Sequence, residues 1–320
     1  MLRFIARRLV GMAFVLFIVS ILVFLIFNVI PNSPPAQRLA GKNARPFLVK
    51  SIEKEWGFDQ SLPEQYVTMM KKVFNGELIQ YSPRVPVDDR IKEGIPATLS
   101  LSIGAGIIWL FFGLLLGYIS AIKAGGWLDR TITGLAVAGI SIPVFLLAPV
   151  LIYFLTFKLE IFPNGGYVGW TEDPWEWLKH LILPWFTLAV LSIGFYSRVL
   201  RSNMLDVMNE DYVRTARAKG LSERQVMTRH VLRNSLIPII TLFGLDFGAT
   251  IAGTAIITEV LYNIDGIGFY AAESINKLEL PPIMGITLYG AFFVVFVNAL
   301  VDIAYAYLDP RVRLGASASQ

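Results

Sequence analysis

Three stretches of this chain, Leu9–Ile30, Ile95–Ile122 and Thr131–Phe157, contain no Asp, Glu, Lys or Arg. Each exceeds the roughly 20 residues that a helix rising about 1.5 Å per residue needs to cross the hydrocarbon core of a bilayer. Three further runs are slightly less clean. Leu181–Ser197 is short but uncharged, Ser235–Thr258 carries only Asp246, and Pro281–Leu308 carries only Asp302. The overall balance agrees: 55% of residues are hydrophobic and 16% charged, where soluble domains hold about a quarter charged. The expected fold is all-α, a polytopic membrane protein with six transmembrane helices.

Arg3, Arg7 and Arg8 before an apolar run also resemble a secretory signal. The run is too long for a signal core of about 7–15 residues, and no A-x-A site follows, so a retained first helix is the better reading. Absence of cysteine excludes disulfides, thiolate metal sites and thiol nucleophiles.

Placing the N-terminus in the cytoplasm puts 15 Lys and Arg in 66 inner residues, against 13 in 109 outer ones. Basic residues concentrate on the cytoplasmic side of membrane proteins, so both termini are expected to be cytoplasmic. This asymmetry also accounts for the net +4 charge, which is therefore no sign of nucleic-acid binding. Trp170, Trp175 and Trp177 cluster in the second outer loop. They fit an interfacial aromatic belt in contact with lipid, or a stacking surface for an entering sugar or aromatic group.

The chain divides into a cytoplasmic N-terminus with the first span (1–30), a small extracytoplasmic domain (31–94), a permease core (95–308) and a cytoplasmic tail (309–320). Within the core the expected spans are 95–122, 131–157, 181–197, 235–258 and 281–308, with a cytoplasmic loop at 198–234. Pro31 to Pro35 stops the first helix, and Pro83 and Pro86 break the chain before it re-enters the membrane at Ile95-Pro96. Phe47–Trp56 and Leu62–Phe74 read as short amphipathic helices separated at Gly57 and Pro63. The terminal Gly315 to Gln320 reads as a disordered tail. Gly113-x-x-x-Gly117 and Gly244-x-x-x-Gly248 let helix backbones approach closely, which indicates packing and no particular function.

The segment Asp211–Asn234, DYVRTARAKGLSERQVMTRHVLRN, is the most informative. A short helix ends at Gly220, where a left-handed backbone costs glycine nothing. Ser222 caps a second helix, Gln225 completes the capping box, and Leu221 and Val226 stand where a hydrophobic staple forms. Such a helix–turn–helix can transmit force to a cytoplasmic partner or lie on anionic lipid.

This segment resembles the coupling loop of the oligopeptide/dipeptide/nickel branch of ABC importer permeases. In the general pattern E-A-A-x-x-x-G, Gly220 matches the glycine and Ala216 the second alanine, while Arg214 and Thr215 replace the first two positions, as is usual in the peptide branch. Similar stretches lie along nearly the whole chain, at Gly57–Tyr66, Gly139–Phe145, His180–Leu188 and Asn298–Arg313. The long insertion after the first span is that of a B-type subunit. Asp265-Gly-Ile-Gly268 departs from the family's usual P-G-L-G, and Asp246 from its usual uncharged residue.

The resemblance implies a non-catalytic subunit working with a second permease, two ATPase subunits and an extracytoplasmic binding protein. It implies a bacterial or archaeal cytoplasmic membrane, and ATP and magnesium held only by the partner subunits. No G-x-x-x-x-G-K-[ST] loop occurs here, in keeping with that division of labour. The residues it assigns to ATPase docking are Tyr212, Arg214, Thr215, Ala216, Lys219, Gly220 and Leu221. Asp246, midway along a span between two glycines, is a candidate for the translocation path, since a charge at that depth faces a partner or a cavity. Asp302 reads as structural, and His180 and His230 as local hydrogen-bonding groups. Peptides are the first expected cargo, with oligosaccharides and nickel as alternatives. An ion-coupled secondary transporter is the rival class, but it would favour paired membrane ions and inverted halves.

Overall fold

The computed structural model describes residues 2–30, 34–40, 45–81 and 84–308. The Pro31 end of the expected helix stop and the whole 309–320 tail lie outside the described residues, as does the side chain of Asp302. In chain order the elements begin with α1 (Leu2–Phe24), extended by a π-helical turn at Leu25–Val29, and then α2 (Pro35–Ala40), α3 (Pro46–Trp56) and α4 (Leu62–Phe74). A short hairpin of β1 (Ile79–Tyr81) and β2 (Arg84–Pro86) follows. Then come α5 (Val87–Ile122), α6 (Trp127–Ser141), α7 (Val144–Leu151, with a π-helical end to Lys158) and α8 (Pro174–Met208). The remainder is α9 (Asp211–Ala218), α10 (Glu223–Gln225), a π-helical stretch at Val226–Leu232, α11 (Arg233–Ala249), a second such stretch at Thr250–Thr254, α12 (Ile256–Leu261), α13 (Ile267–Lys277) and α14 (Leu280–Leu308).

Five of these helices are long and apolar enough to cross a membrane, and α6 with α7 makes a sixth when taken as one broken span. The fold is thus an all-α polytopic one apart from the hairpin. The expected straight span at 131–157 is instead bent by 99°. The break falls at Ile142-Pro143, because proline disfavours helical geometry in the residue before it and lacks the N–H a continuing helix needs. Ile142 is accordingly extended (φ −88°, ψ 116°). Helix α5 starts at Val87 and runs through Pro96, so the expected entry at Ile95-Pro96 lies inside a helix. Helix also precedes the expected start of a span at 235: the chain is helical without interruption from Glu223 into α11, which contains Pro238.

The chain divides into two compact units. The first comprises residues 1–99 and 248–299. Helices α3 and α4 fall where the amphipathic spacing placed them, with Gly57 left-handed (φ 63°) between them. Ser61 and Glu64 form a capping box at the start of α4. Their apolar faces do not close on each other alone. Ile52, Trp56 and Met69 share one buried core with Phe24 of α1, Tyr270 of α13 and Met284 of α14, so the insertion after α1 is built into the unit that carries α13 and α14.

The second unit comprises residues 100–247 and, of the described residues beyond, 300–308. Here α5, α6 and α8 are drawn together by small residues. A Cβ on Gly113 would lie 2.8 Å from Tyr196 Cβ, and one on Gly117 2.7 Å from the Ser197 carbonyl oxygen. These glycines let the backbones of α5 and α8 meet, which is the packing role their spacing implied. Trp109 is buried against Phe243 and Phe247 of α11, with ring centroids 5.7 and 6.5 Å away. At the end of α5, the Asp129 carboxylate of α6 accepts from Arg201 Nε at 2.6 Å and Nη2 at 2.7 Å, from the Gly125 N–H at 2.8 Å, and from Ser120.

Candidate functional site

The helical hairpin at 211–234 belongs to the second unit and is held by five separate devices. Val213 and Ala216, one helical turn apart on α9, are buried, as are Val226, Met227 and Val231 on the rod that follows. The i, i+3 spacing puts the two α9 residues on one face, and that face packs against the π-helical turn at Val226–Leu232.

At the bend, α9 closes with a complete Schellman motif. The Gly220 N–H donates to the Arg217 carbonyl at 2.9 Å and the Leu221 N–H to the Ala216 carbonyl at 3.4 Å. This requires a left-handed residue between them, and Gly220 has φ 81°. Ser222 and Gln225 then form the capping box that the sequence indicated, the Ser222 N–H donating to Gln225 Oε1 at 3.2 Å. Across the turn, Arg217 grips Glu223 with two bonds, of 3.2 and 2.8 Å, and Asn234 donates to the Tyr212 hydroxyl at 2.7 Å. The Arg217 guanidinium holds the Glu223 carboxyl below its usual range.

Six of the seven residues singled out for docking have exposed side-chain positions: Tyr212, Arg214, Thr215, Lys219, Gly220 and Leu221. Ala216 is turned inward against the hairpin's own core. Thr215 donates to the Asp211 carbonyl at 2.9 Å, and Arg214 pairs loosely with Asp211 at 3.3 Å. The hairpin thus shows solvent a mixed surface of two apolar side chains, Tyr212 and Leu221, among basic ones. Sequence reasoning missed Val213, Val231 and the Arg217–Glu223 pair. The spacing of Val213 and Ala216 on an otherwise polar helix would have revealed the buried face.

Asp246 stands on α11 and accepts from the Tyr196 hydroxyl of α8 at 2.8 Å. Tyr196 is fully buried, so this is a helix–helix hydrogen bond at depth. A hydrogen bond to a charged group contributes about 1.5–3 kcal/mol. Tyr196→Phe, which removes only the hydroxyl, is expected to lower unfolding free energy in detergent by about 2 kcal/mol. A loss well under that would mean the hydroxyl contributes little to holding α8 against α11. The tryptophan cluster divides: Trp170, in the loop after α7, and Trp175, on the first turn of α8, are largely exposed, whereas Trp177 of α8 packs edge-on to Trp185 at 5.2 Å. His180 bonds the Glu176 carbonyl within its own helix, at 2.8 Å. Among the described residues no group of acidic or histidine side chains is placed to hold a metal ion.

Comparison with known proteins covers almost all of the chain. Residues 113–314 match the family of binding-protein-dependent transport system inner membrane components, and residues 1–102 match the N-terminal domain of the same membrane components. A putative peptide transport system permease of Brucella abortus is 37% identical over 93% of this chain and 95% of its own length. The dipeptide transport system permease DppB of Bacillus subtilis is 36% identical over 98% and 99%. The glutathione transport system permease GsiC of Escherichia coli is 35% identical over 98% and 99%. Among solved structures, an inward-facing methionine ABC transporter, MetNI, superposes on 70% of this chain and 98% of its own with a TM-score of 0.55, at 16% identity. At that identity the likeness speaks for the fold alone.

Proposed function

The chain belongs to the binding-protein-dependent transport system inner membrane components, the permease subunits of ABC importers, and from that premise we propose that it imports peptides, driven through the 211–234 hairpin. It is a multi-pass membrane subunit that couples to ATPase partners and is itself non-catalytic. Peptide cargo is supported by relatives that match end to end and bear the names of peptide permeases.

The observation that carries the coupling role is the construction of the hairpin. A buried face, a Schellman turn, a capping box and a bidentate ion pair make it stiff, and its second helix runs unbroken into α11. A push on the turn is therefore passed along a rod instead of being absorbed by a flexible joint. In the proposed assembly this chain pairs with one second permease and two ATPase subunits, which hold ATP and magnesium, and receives cargo from an extracytoplasmic binding protein. The hairpin and both termini face the cytoplasm, and Asp246 borders the translocation path, where it attracts the amino group of a peptide.

Gly220→Pro tests this directly. Proline is confined to φ near −65°, whereas Gly220 sits at 81°, and its missing N–H removes a Schellman bond. Tagged wild-type chain purified in mild detergent is expected to retain the second permease and ATPase subunits, and the variant to lose the ATPase subunits while keeping its permease partner. Equal retention of the ATPase subunits by both proteins would refute the docking role of the hairpin.

A further inference from the structure

Among the described residues, the first unit buries a carboxylate that forms no ion pair. Glu259, on α12, is fully buried. Its Oε1 accepts from Thr98 Oγ1 of α5 at 2.7 Å, and its Oε2 accepts from the Phe269 N–H at 2.9 Å, with the Gly268 N–H adding a further bond. Thr98 in turn accepts from the Ile267 N–H at 2.9 Å. The first three N–H groups of a helix have no partner within it. In α13 they are met by side chains from two other helices, because its own N-cap, Gly266, has no side chain to offer.

The turn before α13 is shaped around this carboxylate. A Cβ on Gly268 would lie 3.0 Å from Glu259 Oε2 and 2.8 Å from the Ile256 backbone, and a Cβ on Gly266 would lie 2.7 Å from Thr98 Oγ1. These are the two glycines of Asp265-Gly-Ile-Gly268. Their lack of side chains brings backbone N–H groups against Glu259.

The charged and titratable groups nearest to it are Asp265, Arg90 and Tyr289. Asp265, on the turn, is a like charge partly offset by Arg90 of α5 at 3.5 Å. Tyr289 of α14 lies within range of the Glu259 charge, and its buried hydroxyl has no hydrogen-bond partner. A cavity of about 10 Å³, lined by Thr98, Thr250, Gly253, Glu259 and Gly268, adjoins the carboxylate. That is about the room one water needs. Burial outweighs the bonds from Thr98 and the two amides, and pushes the carboxyl up to about 7.

We propose that Glu259 is a proton-operated positioning residue: ionised, it clamps the first turn of α13 to α5 through Thr98, and protonated, it loosens that turn. Hydrogen bonds to an ionised acceptor are roughly twice as strong as neutral ones. Protonation removes that charge and converts one acceptor into an O–H donor. The role belongs to this unit alone and stands whether or not the cargo is a peptide or the hairpin docks an ATPase.

The experiment uses the purified chain in detergent, with melting and backbone amide exchange followed between about pH 5 and 8.5. The folded carboxyl holds its proton to higher pH than the unfolded one, whose ordinary value is 4.5. The folded state therefore binds more protons between about pH 4.5 and 7, and stability falls as pH rises through that window. Glu259→Gln is expected to remove this slope. Within that folded state, the local opening that frees amides 267–269 while Glu259 stays buried loses the bonds that favour the ionised form. These amides are therefore expected to become about tenfold better protected relative to global unfolding, after correction for intrinsic exchange, as pH rises through 7. Should the Gln variant fail to fold, Thr98→Val supplies the second arm. It deletes a bond that favours the ionised form, so the inflection moves up by about one pH unit, while Thr98→Ser leaves it in place. In the assembled importer, ATP turnover of wild type inflects near the same pH and that of Glu259→Gln does not. Wild-type protection that is flat through neutral pH, or an inflection unmoved by Thr98→Val, overturns the proposal. Neither the melting arm nor the exchange arm needs a partner subunit, so failure here is distinguishable from failure of the importer reading.

Discussion

Arg201→Ala is expected to destabilise the chain by about 3–5 kcal/mol, the range found when one member of a buried ion pair is removed. Asp129 is only 4% exposed, so without the guanidinium its charge stays in the interior. Ser120, Gly125 and Thr133 still donate to it, which keeps the loss toward the lower end of that range. The mirror change should be milder. Arg201 keeps about 30% of its side chain exposed, and without Asp129 it can turn to water, so Asp129→Ala is expected to lose about 1–3 kcal/mol. The double variant should then lose less than the sum of the two, by an amount that measures the pair itself. Reversible unfolding in mixed micelles checks this. A loss under about 1 kcal/mol for Arg201→Ala would rank the pair with ordinary exposed bridges. The pair also matters to the hairpin: Arg201 stands on the last turns of α8, the helix that leads into α9, and Asp129 ties those turns to the ends of α5 and α6.

The spans were legible because an uncharged run of that length leaves the backbone no alternative to a helix. The cap at Ser222 and the turn at Gly220 were legible for a local reason as well, since each depends on a few adjacent residues. What sequence reading could not reach was set by partners far away along the chain. Asp129 looked like an ordinary loop acid, and only the fold brings Arg201 to it. Glu259 looked like the first residue of a loop, because nothing local announces that Thr98 and the start of α13 close over it. The break at Ile142-Pro143 was visible as a proline but masked by the length of the apolar run, which read as one straight helix. The joining of the hairpin to α11 was missed for the opposite reason. The capped helix at 222–234 and the span from 235 were read as separate pieces, whereas the first runs directly into the second, with its apolar side buried at Val226, Met227 and Val231.

The second large effect expected is at the tip of the hairpin. Leu221 follows the left-handed Gly220 and leaves 39% of its surface to solvent. Its backbone closes the Schellman turn, but no hydrogen bond from its side chain exists to be lost. Leu221→Asp should therefore leave the melting temperature close to that of wild type, as exposed substitutions generally change stability by no more than about 0.5 kcal/mol. Binding should respond quite differently. An apolar anchor at the centre of an interface commonly contributes 2 kcal/mol or more, about a 30-fold change in dissociation constant, and a carboxylate buried in its place would add a desolvation cost. Titration of purified ATPase subunits onto the permease in nanodiscs is expected to show affinity weakened by at least that factor. Val226→Asp, by contrast, places a charge in the hairpin's buried core and should unfold it, so loss of binding there would carry no information about docking. The comparison isolates the surface from its support. Unchanged affinity with Leu221→Asp, in a chain that still melts like wild type, would move the docking surface away from the turn and toward the exposed basic face of α9.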